Sequence, residues 1–196
     1  MFPQNIFLNY RTEEIAQMLL GHYLCRETDQ GLVSGIIVET EAYLSKNDEA
    51  CHASRGKTKR NAAMFGPAGR AYIYFIYGSC HCFNVVTGPE GKGEAVLIRA
   101  VEPVKGLAIM RELRKRAVRA EELVNGPGKL CQAFSIDRSL DGHNLSEKPL
   151  YLKENRAICD QMKVIATPRI GISKAEDKQL RFIVRGSKYL SRRESV

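Results

Sequence analysis

Apolar runs of strand character recur along this chain, and a helical period surfaces in three short windows. The first window opens at Thr12, a suitable N-cap. Glu13 and Glu14 suit the positive end of a helix, and Ile15, Ala16, Met18, Leu19 and Leu20 form one apolar face before Gly21 ends it. Residues 22–26 and 32–38 read as two strands joined by the turn-rich Thr28-Asp29-Gln30-Gly31, an antiparallel pair. Residues 44–61 form a long polar and basic loop, a length that in a compact domain signals a binding or catalytic segment. From Ala71 the pattern alternates, with Tyr72, Tyr74 and Ile76 on one face and Ile73, Phe75 and Tyr77 on the other. Gly78-Ser79 turns the chain into a partner strand over 81–87, which makes a hairpin with Tyr77 at its tip. Another strand covers 94–101 and carries Arg99 near its end. Leu107, Met110 and Leu113 set a surface helix over 106–116, and a turn at 125–128 feeds a third helix, beside which Lys129 is a candidate anion contact. Shorter strands are predicted at 150–152, 164–166 and 181–185.

The stretch Val38-Glu39-Thr40-Glu41-Ala42-Tyr43 stands out against this pattern. It closes the β-branched run Ile36-Ile37-Val38, which reads as a buried strand, and it adds two carboxylates to that strand's end. Side chains two apart on a strand share a face, so Glu39, Glu41 and Tyr43 point the same way at intervals of roughly 6 to 7 Å. Two readings stand side by side. A glutamate next to an aromatic, partly desolvated, suits a general base for water. Equally, both acids suit solvated strand-end positions paired with some of the 30 Lys and Arg residues.

Composition narrows the class. A length of 196 residues with 44% apolar content predicts one domain spanning 1–196. No apolar run is long enough to span a bilayer, and Met1-Phe2-Pro3-Gln4-Asn5 lacks the marks of a signal peptide. The expectation is an intracellular protein, cytoplasmic and nucleoid-associated or nuclear, with no membrane partner. Six cysteines in such a chain are expected reduced. Cys51-His52 and Cys80-His81-Cys82 include zinc-ligating residue types, yet their spacing matches no standard zinc pattern, and no metal is expected. The net charge of +8, with clusters such as Arg55-Gly56-Lys57-Thr58-Lys59-Arg60, predicts attraction to polyanions, nucleic acid first among them. A generally basic, soluble surface remains the alternative.

Eight blocks then fall into one order. They are Val38 to Tyr43, Asp48-Glu49-Ala50-Cys51-His52, Met64-Phe65-Gly66-Pro67, Tyr72-Ile73-Tyr74-Phe75-Ile76-Tyr77-Gly78, Phe83-Asn84, Leu97-Ile98-Arg99-Ala100, Gly126-Pro127-Gly128-Lys129-Leu130-Cys131-Gln132-Ala133 and Phe182-Ile183-Val184-Arg185-Gly186-Ser187. Together they resemble the alkyladenine (3-methyladenine) DNA glycosylases, the type lacking a helix-hairpin-helix. The resemblance implies an α+β fold: a single compact domain, mostly an antiparallel, curved, open-barrel-like sheet with flanking helices and a protruding hairpin that enters the minor groove of duplex DNA. It implies Glu41 as the base for the attacking water and Arg99 beside that water. Tyr43, His52 and Tyr74 would enclose the extruded base, with Asn84 bordering the pocket and Tyr77 filling the gap in the duplex. Arg60 joins Lys129 as a candidate phosphate contact. No cofactor is implied, and the partner is double-stranded DNA carrying damaged purines, met by a monomer.

The implied reaction is base excision: hydrolysis of the N-glycosidic bond of a flipped, damaged purine, such as 3-methyladenine, 7-methylguanine, hypoxanthine or etheno-adenine, leaving an abasic site. No lysine stands in the matched catalytic position, so hydrolysis without strand cleavage is expected. The chain departs from the family at Ser79-Cys80, where a Met-Tyr pair is common, which bears on contacts to the opposite strand. Two rivals remain at this stage, a non-catalytic nucleic-acid-binding module and an N-glycosidase acting on free nucleosides.

Overall fold

The computed structural model describes residues 1–76, 78, 80–155, 157 and 162–192. Its organising element is β2 (Gly31–Tyr43), thirteen residues long. β1 (Tyr23–Thr28) pairs with its first half and β8 (Arg181–Val184) with Glu39–Glu41, while β5 (Glu94–Lys105) runs along its other side. β4 (Cys80–Thr87) and β3 (Ala71–Ile76) continue the sheet beyond β5; β6 (Leu150–Lys153) extends it beyond β1, and β7 (Val164–Thr167) beyond β8. Every strand pair is antiparallel. The sheet curves into a half-barrel flanked by the helices α1 (Ile6–Asn9), α2 (Thr12–Met18), α3 (Leu107–Leu113) and α4 (Pro127–Ala133), the α+β architecture that the resemblance implied.

The alternation read from the sequence sorts side chains onto two faces. Ile73, Phe83, Val85, Val96, Ile98 and Ala42 face the helices and form the larger core with Phe7, Ile15, Leu130 and Phe134. Tyr72, Tyr74, Cys82 and Leu97 face the other way and form a smaller cluster with Met64 and Ala53 from the 44–66 region. One sheet therefore separates the main core from the site.

Several boundaries differ from expectation for tertiary reasons. Arg11, not Thr12, occupies the cap position of α2, because the Thr12 hydroxyl is engaged in the core, donating to Glu94 (2.6 Å) and lying 2.8 Å from Thr87 Oγ1. α1 carries too short an apolar period to be read from sequence, and Phe7 anchors it. The 44–61 loop is tied down: it contains a 3-10 turn at His52–Arg55, and the Asn61 side chain donates to the His52 and Gly56 carbonyls and accepts from Thr58 N–H. The tip position Tyr77 lies outside the described residues, as does Ser79.

At Gly35, β2 and β5 pack too closely to leave room for a side chain. A Cβ there would lie 2.7 Å from Val101 Cγ2 and 2.8 Å from the Glu102 carbonyl oxygen. Gly35→Ala is expected to destabilise the protein by about 1–3 kcal/mol through overpacking. A urea midpoint equal to the parent's would contradict this reading.

Candidate active site

Register places the site residues in rows across the sheet. Tyr72 lies opposite Asn84, Asn84 opposite Leu97, Leu97 opposite Glu41, and Glu41 opposite Arg181. The β2–β5 register slips between Ile37 and Glu39 and again between Glu39 and Thr40, so that first Val38 and then Arg99 is passed over. Such bulges re-aim a side chain. Here the second one directs Arg99 between the two glutamates.

Neither carboxylate is solvated. Glu39 and Glu41 are fully buried, and Arg99 is 7% exposed. Arg99 Nε donates to Glu39 Oε1 at 2.9 Å and Nη1 to Glu41 Oε2 at 3.2 Å. Arg181 Nε donates to Glu39 Oε1 at 2.7 Å, and Ser191 donates to Glu39 through its amide (2.6 Å) and its hydroxyl (2.7 Å). Glu39 is thus a structural anion with two arginines. Burial pushes its carboxyl up, but the Arg99 and Arg181 charges and the Ser191 donors outweigh this and hold it below its usual 4.5. Its contribution to stability is therefore complete above 4.5 and is lost as the pH falls through the lowered folded value. Glu39→Gln is expected to lessen the acid sensitivity of the thermal midpoint below that point; an unchanged slope would speak against this assignment.

Glu41 is held differently. Its Oε2 accepts from Tyr43 Oη at 2.8 Å as well as from Arg99, and its Oε1 accepts from the Ile170 amide at 2.8 Å. Tyr43 and Arg99 in turn form part of the wall of a cavity of about 470 Å³, also lined by His52, Tyr72, Tyr74, Asn84, Cys82 and residues 170–174. Glu41 lies directly behind that wall. On the aromatic side the His52 and Tyr74 rings meet edge-on, 4.6 Å apart at 72°, the Tyr72 and Tyr74 rings lie 5.4 Å apart and tilted by 38°, and His52 Nδ1 lies 2.8 Å from Tyr72 Oη. Partial desolvation against the aromatic wall, helped by the charge of Arg60, pushes the His52 imidazole below its usual 6.5. Asn84 Nδ2 donates to the Tyr72 carbonyl at 3.0 Å and fixes its amide at the cavity edge.

Six of the residues singled out from sequence, Glu41, Tyr43, His52, Tyr74, Asn84 and Arg99, therefore converge. Arg60 and Lys129 stand outside this cavity. Arg60 lines a smaller neighbouring hollow and donates to the Phe75 carbonyl at 3.3 Å, while Lys129 donates to Asn125 Oδ1 at 2.8 Å on the surface. Among the described residues, no three His, Cys, Asp or Glu side chains are grouped to hold a metal ion, and no helix is long and apolar enough to cross a membrane.

A sequence profile described as methylpurine-DNA glycosylase (MPG) matches residues 6–188. The chain belongs to the methylpurine-DNA glycosylase family. It is similar to proteins named "Putative 3-methyladenine DNA glycosylase" from Carboxydothermus hydrogenoformans (50% identity over 91% of this chain and 93% of that one) and Methanocella arvoryzae (47%, over 89% and 86%). A protein of the same name from Francisella tularensis is 42% identical over 95% of this chain and 96% of its own. The protein is thus a DNA glycosylase, and DNA is its substrate.

Sequence reasoning missed part of this glycosylase's site. Asp48 and Arg169 form a fully buried ion pair beside Tyr43, Ser191 and Arg181 complete the Glu39 cluster, and residues 170–174 supply one wall of the cavity. Lys174 reaches from that wall to Glu49 on the opposite loop, 3.1 Å away. Asp48 lies inside a block quoted for the resemblance. Arg169 lies in none of them, and its only local signal is a cation two residues after the apolar β7.

Proposed function

We propose that this glycosylase extrudes alkylated or otherwise damaged purines from duplex DNA and hydrolyses the N-glycosidic bond with a water activated by Glu41, leaving an abasic site. One observation carries the reading: a fully buried carboxylate sits one hydrogen bond behind an aromatic-walled cavity that is within the size range of small-ligand pockets. A carboxylate has about four lone-pair sites. Tyr43, Arg99 and Ile170 engage three of those on Glu41, which leaves capacity for one donor more, a water O–H. These donors also fix the carboxylate as an oriented anion, suited both to accept the water's proton and to stabilise the oxocarbenium character that the sugar gains as the bond breaks.

The stacking surfaces are Tyr43 and Tyr74, with His52 against the edge. Purines alkylated on ring nitrogens are cationic, and a tyrosine face favours them by about 0.5–2 kcal/mol. Extrusion itself costs a few kcal/mol, least for mispaired or damaged bases. The wedge role falls to Tyr77, which lies outside the described residues, so that assignment rests on the sequence. Arg60 and Lys129 follow the DNA phosphates.

The test uses one duplex with a single hypoxanthine and another with a single 7-methylguanine, incubated with protein in chelator and then heated in alkali. Cutting at the lesion only after alkali is the expected result and marks a hydrolytic glycosylase; acceptance of hypoxanthine extends the range to neutral bases. Cutting before alkali would refute simple hydrolysis and turn attention to Lys174 in the cavity wall as an amine nucleophile.

A further inference from the structure

Asp48 and Arg169 have no part in the reaction as described, yet both side chains are wholly removed from solvent. A buried ion pair is poor in net stability, since apolar residues of similar volume often do as well or better. The arrangement also leaves Arg169 Nε buried without a partner, a defect in a purely structural pair. What the pair does hold is the backbone and ring of one residue. Arg169 Nη1 and Nη2 donate to the two Asp48 oxygens at 2.7 and 2.5 Å. Nη1 also donates to the carbonyl of Ala42, immediately before Tyr43, at 3.0 Å. Asp48 Oδ2 accepts from the amide of Leu44, immediately after Tyr43, at 3.0 Å. The guanidinium carbon lies 4.7 Å from the Tyr43 ring centroid. Tyr43 is gripped on both flanks and against one face, and its hydroxyl is tied to Glu41.

The same arginine reaches Glu41 by a second route. Ile170, the next residue, donates its amide to Glu41 Oε1. Anchoring Arg169 therefore anchors that donor.

We propose that Asp48 and Arg169 are positioning residues of the base pocket, setting the plane on which the extruded base stacks and holding the Ile170 amide on the carboxylate that activates water. The inference rests on Glu41 being that carboxylate. Neither residue touches substrate; both act through Tyr43 and Ile170. Misplacement of reacting groups by about 1 Å can lower a rate about 100-fold, so a shift of ring and amide together is expected to be visible in the chemical step.

The experiment measures single-turnover base release from the 7-methylguanine duplex, affinity for the undamaged duplex, and thermal midpoint, for Arg169→Lys, Asp48→Asn, Tyr43→Leu and the Tyr43→Leu/Arg169→Lys double variant, with Glu41→Gln alongside. Arg169→Lys and Asp48→Asn are expected to slow release about tenfold or more while binding undamaged duplex as the parent does. In the Tyr43→Leu background, Arg169→Lys is expected to have a clearly smaller effect, because its action through the ring is already gone. A general loss of structure would weaken undamaged-duplex binding too and would add in full to Tyr43→Leu. Folded Arg169→Lys and Asp48→Asn variants with parent rates, full additivity in the double variant, or failure of both single variants to fold would each overturn the proposal. If Glu41→Gln itself releases base at the parent rate, the reading beneath it fails first; if Glu41→Gln is inactive and the pair variants are fully active, only the positioning role falls.

Discussion

Glu41→Gln is expected to bind damaged duplex and to lose base release, by about 10²- to 10⁴-fold, the range that general-base catalysis contributes. The substitution keeps the shape of the side chain and removes its charge. A glutamine amide offers one oxygen where the carboxylate offers two, and Tyr43, Arg99 and Ile170 all present donors there. One donor is then left facing an N–H₂ group, and the amide cannot take a proton from water. The fold is expected to persist because Arg99 keeps its bonds to Glu39 and Ser191. Measurement of release at saturating protein, beside binding to the same duplex, separates the two effects. A glutamine variant that hydrolysed at the parent rate would remove Glu41 from the mechanism.

Arg99→Met has its largest effect on stability, an expected loss of about 3–5 kcal/mol, the range found when one member of a buried ion pair is removed. Methionine fills the space but leaves Glu41 without its only ionic contact at salt-bridge distance among the described residues, in a position with no exposure. Glu39 retains Arg181 and Ser191, so the burden falls on Glu41. Urea unfolding of parent and variant at neutral pH measures the loss. Lys148, whose exposed amine sits 2.9 Å from the part-exposed Glu27 carboxylate, is the contrast: a surface pair of that kind contributes about 0–1 kcal/mol. A loss on Arg99→Met no larger than on Lys148→Met would contradict the account of the cluster.

The strands were legible because their signal is local. The alternation at 71–76 assigned Tyr72 and Tyr74 to one face and Ile73 to the other, and the structure shows them lining the cavity and the main core respectively. The spacing of Glu39, Glu41 and Tyr43 put three side chains on one face of a strand, and their shared contacts with Arg99 and with each other show that they meet. Of the two readings of those acids, the pairing with arginines holds and the solvent exposure does not, because Arg99, Arg181 and Ser191 close over Glu39 and Tyr43, Arg99 and Ile170 over Glu41.

Other features had no local signature. The bulge that aims Arg99 depends on how β5 registers against β2, and no window of either strand encodes it. The partners of the buried charges lie far along the chain: 121 residues separate Asp48 from Arg169, 129 separate Glu41 from Ile170, and 142 separate Glu39 from Arg181. Side-chain period and turn chemistry are set by neighbours in sequence, so the sequence by itself determined the strands, the two faces, the reactive residue types and, through the order of its motifs, the family. Which cation neutralises which buried anion is decided by closure of the sheet, where desolvation makes every unpaired charge costly. Only the tertiary structure could therefore show that Glu41 sits behind Tyr43 and Arg99, and that a distant arginine packs against the Tyr43 ring.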